Sequence, residues 1–322
     1  MRRWLLPALA WGILSGFGIP IPIEQVAAPA VASANGFSTL AMNQDATTGF
    51  DIDQTGRAAT GMWHQSGWWG VGGEVPAQYV SLNPAGYIDL DWNVSMATGC
   101  TLGSCMAPEI ATDNEQMTAY RAFGHGYYEC RAAIVDNVPG SYSACFLMGA
   151  PMGIDCVAGG FNGFNDVTIA DPPGYAELDY EQIWGSSTVQ TNGDNYVAMH
   201  GSGTSCLNST TTHNDAWQPP NGTDLSQIHA YGMLWCGANS RGSVCNGTPQ
   251  VCFYFDGTQE YCADTTSDNE AQSMLLYAYE LEQCGTDLNN SSCLGGVTDI
   301  HFRIYSMRYW SCGSWQSNAL AC

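Results

Sequence analysis

Glu177, Asp179 and Glu181 lie two residues apart along the stretch YAELDYEQIWG, residues 175–185, with apolar or aromatic residues between them. On a β-strand, side chains two apart share a face, so this spacing lines up three carboxylates. Leu178 and Tyr180 then point the other way, toward a core. Aligned carboxylates suit cleavage of a glycosidic bond. A retaining mechanism needs one carboxylate as nucleophile and one carboxylic acid to protonate the leaving oxygen, about 5–5.5 Å apart. Residues i and i+4 on a strand stand about 13 Å apart at Cα, so strand twist and leaning glutamates must close the gap. An intervening Asp raises its neighbours' proton affinity by like-charge repulsion, which helps one acid stay protonated while the other is ionised. Two other readings of the spacing remain open. In a chain this acidic it is also what a solvated strand face looks like, and clustered carboxylates also bind Ca²⁺.

The elements that must hold these residues read as strands. Gly is frequent, with 37 residues. Short runs of β-branched and aromatic residues recur between Gly, Asn, Asp and Pro clusters, the pattern of an all-β sandwich or barrel. Residues 79–95 read as strand, Asn-Pro-Ala-Gly turn and strand. Residues 126–135, 141–148, 228–236 and 299–310 are further strands, and 251–262 is a hairpin turning at Asp256-Gly257. Residues 151–174 and 201–224 read as long loops. No internal repeat or linker is evident, so one domain over residues 35–322 is expected.

Composition narrows the function. The 322 residues hold no lysine; eight Arg face 30 Asp plus Glu, for a net charge of −22. Such a chain repels nucleic acid and anionic membranes, so a neutral partner is expected. Residues 1–34 read as a signal peptide: Arg2 and Arg3, an apolar run from Trp4 to Ile23, then Ala32-Ser33-Ala34 as a small-residue cleavage site. The expected localisation is secreted. The 14 cysteines are even in number and include no C-x-x-C pair, which in an exported chain reads as up to seven disulfides rather than a metal site. No cofactor or metal is expected, and the chain is expected to be a monomer. A Ser–His–Asp triad lacks its G-x-S-x-G motif. His229 reads as a hydrogen-bonded structural histidine, and Trp92 and Trp235 as core.

With VQTN at 189–192, the GYAELDYEQIWG segment resembles glycoside hydrolase family 16, whose members are β-jelly-roll enzymes acting on β-linked polysaccharides. GHGYYECRAAI (124–134), GSYSACFLMG (140–149), IHAYGMLW (228–235), FYFDG (253–257) and FRIY (302–305) resemble other strands of that family, in the family's order. The resemblance implies a concanavalin A-like jelly-roll sandwich with a cleft across its concave sheet. It implies Glu177 as nucleophile, Asp179 as assisting carboxylate and Glu181 as acid/base. It also implies substrate contacts from Gln190 and Asn192, and from Phe146 where many relatives carry Trp or Tyr. Trp184, three residues past Glu181 and beside a Gly, reads as an aromatic that stacks on sugar in the cleft. The motif has the regular form, without a bulge before the second Glu, typical of lichenase-like glucanases and of transglycosylases. A retaining endo-β-glucanase or transglycosylase on β-glucan is therefore expected. The alternative is a non-catalytic glycan-binding sandwich, which would have no need of a proton donor.

Overall fold

The computed structural model describes residues 26–45, 50, 52–53, 63–66, 79–93, 108–111, 123–136, 141–149, 175–183, 193–200, 209–217, 219–264, 274–282 and 298–313. Among these residues there are two eight-stranded sheets and one short helix, α1 (Ala30–Ala34). In chain order the first sheet takes β1 (Thr39–Asp45), β4 (Val80–Asn83), β5 (Tyr87–Asn93), β7 (Gly126–Ile134), β12 (His229–Cys236), β13 (Gln250–Phe255), β14 (Thr258–Asp264) and β16 (Asp299–Ser311). The second takes β2 (Ile52–Asp53), β3 (Trp63–Ser66), β6 (Glu109–Ala111), β8 (Ser141–Gly149), β9 (Tyr175–Ile183), β10 (Gly193–His200), β11 (Ser209–Trp217) and β15 (Met274–Glu282). The strand order β11-β10-β9-β8-β15-β6-β3-β2 puts β9, which carries the three carboxylates, inside the second sheet. All pairings are antiparallel except the two-residue contact of β2 with β3.

Alternation in the sequence builds these sheets. In β5, Ile88, Leu90 and Trp92 are buried, while Tyr87, Asp89, Asp91 and Asn93 take the opposite face. The long strand β16 buries Ile300, Phe302 and Ile304, then slips its register against β7 between Ile304 and Ser306. That bulge adds one residue and shifts the parity, so Met307 and Tyr309 also reach the core between the sheets. Without it, a period of two would turn both outward. The turns follow local chemistry. Asp256 (φ 46°) and Gly257 (φ 79°) both take positive φ, as a two-residue type I′ hairpin requires. Asp256 tolerates this because its carboxylate accepts from Ala230 N at 2.8 Å and bonds the His229 ring at 2.7 Å. The β4–β5 hairpin turns through Pro84, Ala85 and Gly86, with Gly86 at φ 92° donating to Asn83 O at 2.8 Å.

The main core lies between the sheets and joins Leu178 and Tyr180 to Cys130, Tyr231, Phe253 and Phe302. A second apolar cluster lies on the other face of the first sheet, where Tyr127, Leu234, Tyr254 and Trp310 meet Ala32 and Phe37. The domain was expected to begin at residue 35, yet α1 packs into this cluster. Part of the expected 201–224 loop is strand instead: STTTHNDAW forms β11 against β10. Its threonines favour a strand without alternating with large apolar residues, and an edge strand with little to bury gives no period-2 signal. Three disulfides lie among the described residues, Cys130–Cys145, Cys236–Cys245 and Cys252–Cys262, and no described cysteine is free.

Candidate active site

Strand β9 pairs along its length with β8 on one side and β10 on the other. Leu178 is 1% exposed and Tyr180 2%, and both belong to the inter-sheet core. The pleat therefore assigns Glu177, Asp179 and Glu181 to the outward face of the second sheet. Residues directly opposite on antiparallel strands share a face, so the register gives the neighbours of each position. Glu177 is opposite Met148 and Ala198, Asp179 opposite Phe146 and Tyr196, and Glu181 opposite Ala144 and Asp194. One strand further out, Tyr277 is opposite Phe146 and Tyr279 opposite Ala144.

The outward face thus combines acidic and aromatic positions. Phe146 is 1% exposed, so it is buried in this structure, but it lies outside the inter-sheet cluster that holds its neighbours Cys145 and Leu147. Gln190, Asn192 and Trp184 lie outside the described residues. Sequence reasoning did not single out Asp194 and Tyr196, which the register sets opposite Glu181 and Asp179. The usable signal was the alternation of GDNYVAMH, which places Asp194, Tyr196 and Ala198 on one side.

The back of β9 is firmly held. Tyr180 meets Tyr231 edge-on at 5.1 Å and Phe253 at 6.0 Å. Burial pushes the phenols of Tyr180 and Tyr231 well above the usual range, so both stay neutral. A small cavity behind the strand is lined by Ile134, Ser143, Cys145, Tyr180, Tyr231 and Phe302. The Cys130–Cys145 bridge crosses between the sheets at this point. Rigid backing of this kind keeps reacting groups in register.

His229 is structural, as its sequence context suggested. Its Nδ1 lies 2.7 Å from Asp256 Oδ2 and its Nε2 3.0 Å from Asp224 O, and the ring stacks on Phe255 at 4.9 Å. Trp92 (1% exposed) and Trp235 (3%) are core, as expected.

No protein-family model matches the sequence, and no curated protein is significantly similar to it. Solved structures do match. A family 16 endo-glucanase from Bacteroides ovatus superposes with a TM-score of 0.53 at 12% identity, over 83% of this chain and 99% of that one. The catalytic domain of an endo-1,3-β-glucanase (laminarinase) from Thermotoga petrophila gives 0.52 at 15% identity, over 85% and 97%. A β-glucanase from Bacillus licheniformis gives 0.50 at 17% identity, over 87% and 99%. At such identities the likeness speaks for architecture: the chain has the β-jelly-roll fold of the family 16 glycoside hydrolases.

Proposed function

We propose that this chain is an exported, retaining, endo-acting glycoside hydrolase or transglycosylase whose substrate is a neutral β-glucan. The observation that carries the reading is the pairing of β9. On this interior strand Leu178 and Tyr180 are held in the core, which supports an outward face for Glu177, Asp179 and Glu181, the residues that alternate with them. The solved structures of the same fold include β-glucanases and a laminarinase, which supports a β-glucan as substrate.

In this mechanism the Glu177 carboxylate attacks the anomeric carbon while Glu181 gives its proton to the glycosidic oxygen. The C–O bond breaks and a covalent glycosyl-enzyme forms. Glu181, now ionised, takes a proton from water or a sugar hydroxyl, which displaces Glu177 and restores the original configuration. Asp179 stands between the two and biases their protonation. Gln190, Asn192, Trp184 and Phe146 are proposed substrate contacts. The protein works as a monomer, without nucleic acid or membrane partners. Secretion accords with the disulfides found.

Incubation with a panel of soluble β-glucans tests the reading. Release of new reducing ends, with a rapid fall in polymer length, is expected from at least one. No cleavage and no transfer to labelled acceptor oligosaccharides across the panel would overturn it.

A further inference from the structure

The outer face of the first sheet is covered by the chain's own Val26–Phe37. Ala32 and Phe37 are completely buried there against Tyr127, Leu234, Tyr254 and Trp310, with Val26, Ala28 and Val31 packed along the edge. Polar contacts fix the same segment. Asn35 is 2% exposed; its Oδ1 accepts from Val244 N at 2.8 Å and Cys245 N at 2.7 Å, and its Nδ2 donates to Val31 O at 2.8 Å. Ser243 N donates to Ala34 O at 3.2 Å. The receiving loop is closed by the Cys236–Cys245 bridge. It is also shaped for the segment: a Cβ on Gly242 would lie 2.4 Å from Asn35 Cα and 2.6 Å from Ala34 O. Only glycine allows that approach.

We propose that residues from Val26 onward stay in the mature protein as a fixed strap across this face, and that any leader is removed upstream of Val26, not after Ala34. A cut after Ala34 would take away the Val31 carbonyl that accepts from Asn35 Nδ2. It would remove the carbonyl that Ser243 N uses and strip Ala32 from Tyr127 and Trp310, exposing an apolar patch. Ala32-Ser33-Ala34, which reads as a cleavage motif, has a second physical explanation. Small residues let α1 lie close to the sheet and to Gly242.

The test has two parts. The full chain is exported from a secreting host and its N-terminus is determined by Edman sequencing and intact mass. A start at or before Val26 is expected; a start anywhere after Val26 overturns the proposal. Separately, chains beginning at Val26 and at Asn35 are melted side by side, each with and without Gly242→Ala. The chain from Asn35 is expected to fail to fold or to melt on the order of 5–10 °C lower. Gly242→Ala is expected to lower the Tm of the chain from Val26 and to have a smaller effect in any folded chain from Asn35, where Ala34 is absent and Asn35 is no longer held by the strap. Equal melting of the two chains, or an equal effect of Gly242→Ala in both, overturns the strap.

Discussion

Cys130 and Cys145 join the two sheets, their Cα atoms 6.4 Å apart, directly behind the candidate site. Cys130 lies on β7 of the first sheet and Cys145 on β8, next to the strand that carries the carboxylates. Ala144 and Phe146, which flank Cys145, are the register partners of Glu181 and Asp179. Facing sheets ordinarily pack about 10 Å apart, so the bridge draws them together at this point.

Removing that bridge should therefore affect both stability and activity. The two cysteines are 15 residues apart in sequence. Closing a loop of that size contributes about 3 kcal/mol in the chain-entropy account. Cys130→Ala with Cys145→Ala should lose roughly that amount in denaturant unfolding. The turnover number should also fall at temperatures where the variant remains folded. Urea titration and initial rates at low temperature check the two separately.

The two faces of β9 should respond in opposite ways. Leu178→Ala opens a cavity in the inter-sheet core and should cost about 2–5 kcal/mol of stability. Glu177→Gln and Asp179→Asn lie on the outward face and should stay within about 0.5 kcal/mol of the parent. Activity should reverse the order: nearly lost in Glu177→Gln, and reduced in Leu178→Ala only as far as unfolding accounts for it. Melting curves beside rates on one β-glucan check the pattern.

Stability should also carry a signature of His125. Its ring lies edge-on against Trp235 at 4.4 Å, and burial lowers its pKa from 6.5 to about 4. The unfolded chain thus binds more protons between those values. The contribution of neutral His125 is complete above pH 6.5 and is lost as pH falls toward 4, on the order of 2–3 kcal/mol. His301 runs the other way: hydrogen bonding to Asp89 raises its pKa, so its contribution is present below 6.5 and fades as pH rises through the raised value. Unfolding free energy measured from pH 7 to 4 should fall less steeply in His125→Asn than in the parent.

Much of the architecture was legible because it rests on local chemistry. Asn83 to Gly86 and Asp256-Gly257 announce their hairpins, and alternation in β5, β7 and β16 gives both strand and buried face. Leu178 and Tyr180, set between acids, reveal the orientation of β9. What stayed hidden depends on contacts between distant residues. The neighbours of Asp179, Phe146 and Tyr196, follow from a register that no single strand encodes. The buried role of Ala32 depends on Trp310 and Tyr127, far along the chain. The pairing of Cys130 with Cys145, out of many possible partners, follows only once the sheets are stacked.

The central claim is that Glu177 is the nucleophile and Glu181 the acid/base. It is tested most directly by the products that Glu177→Ala and Glu181→Ala form from an aryl β-glucan oligosaccharide with sodium azide. Such a substrate has a good leaving group and needs little protonation, so in Glu181→Ala the glycosyl-enzyme should still form. Azide should then displace Glu177 and give a β-glycosyl azide with the original configuration kept. In Glu177→Ala no covalent intermediate can form, and azide should enter the vacated face to give the inverted α-glycosyl azide. Proton NMR of the anomeric centre distinguishes the products. The predicted result is β from Glu181→Ala and α from Glu177→Ala; the reverse assignment, or parental rates in both variants, would contradict the account.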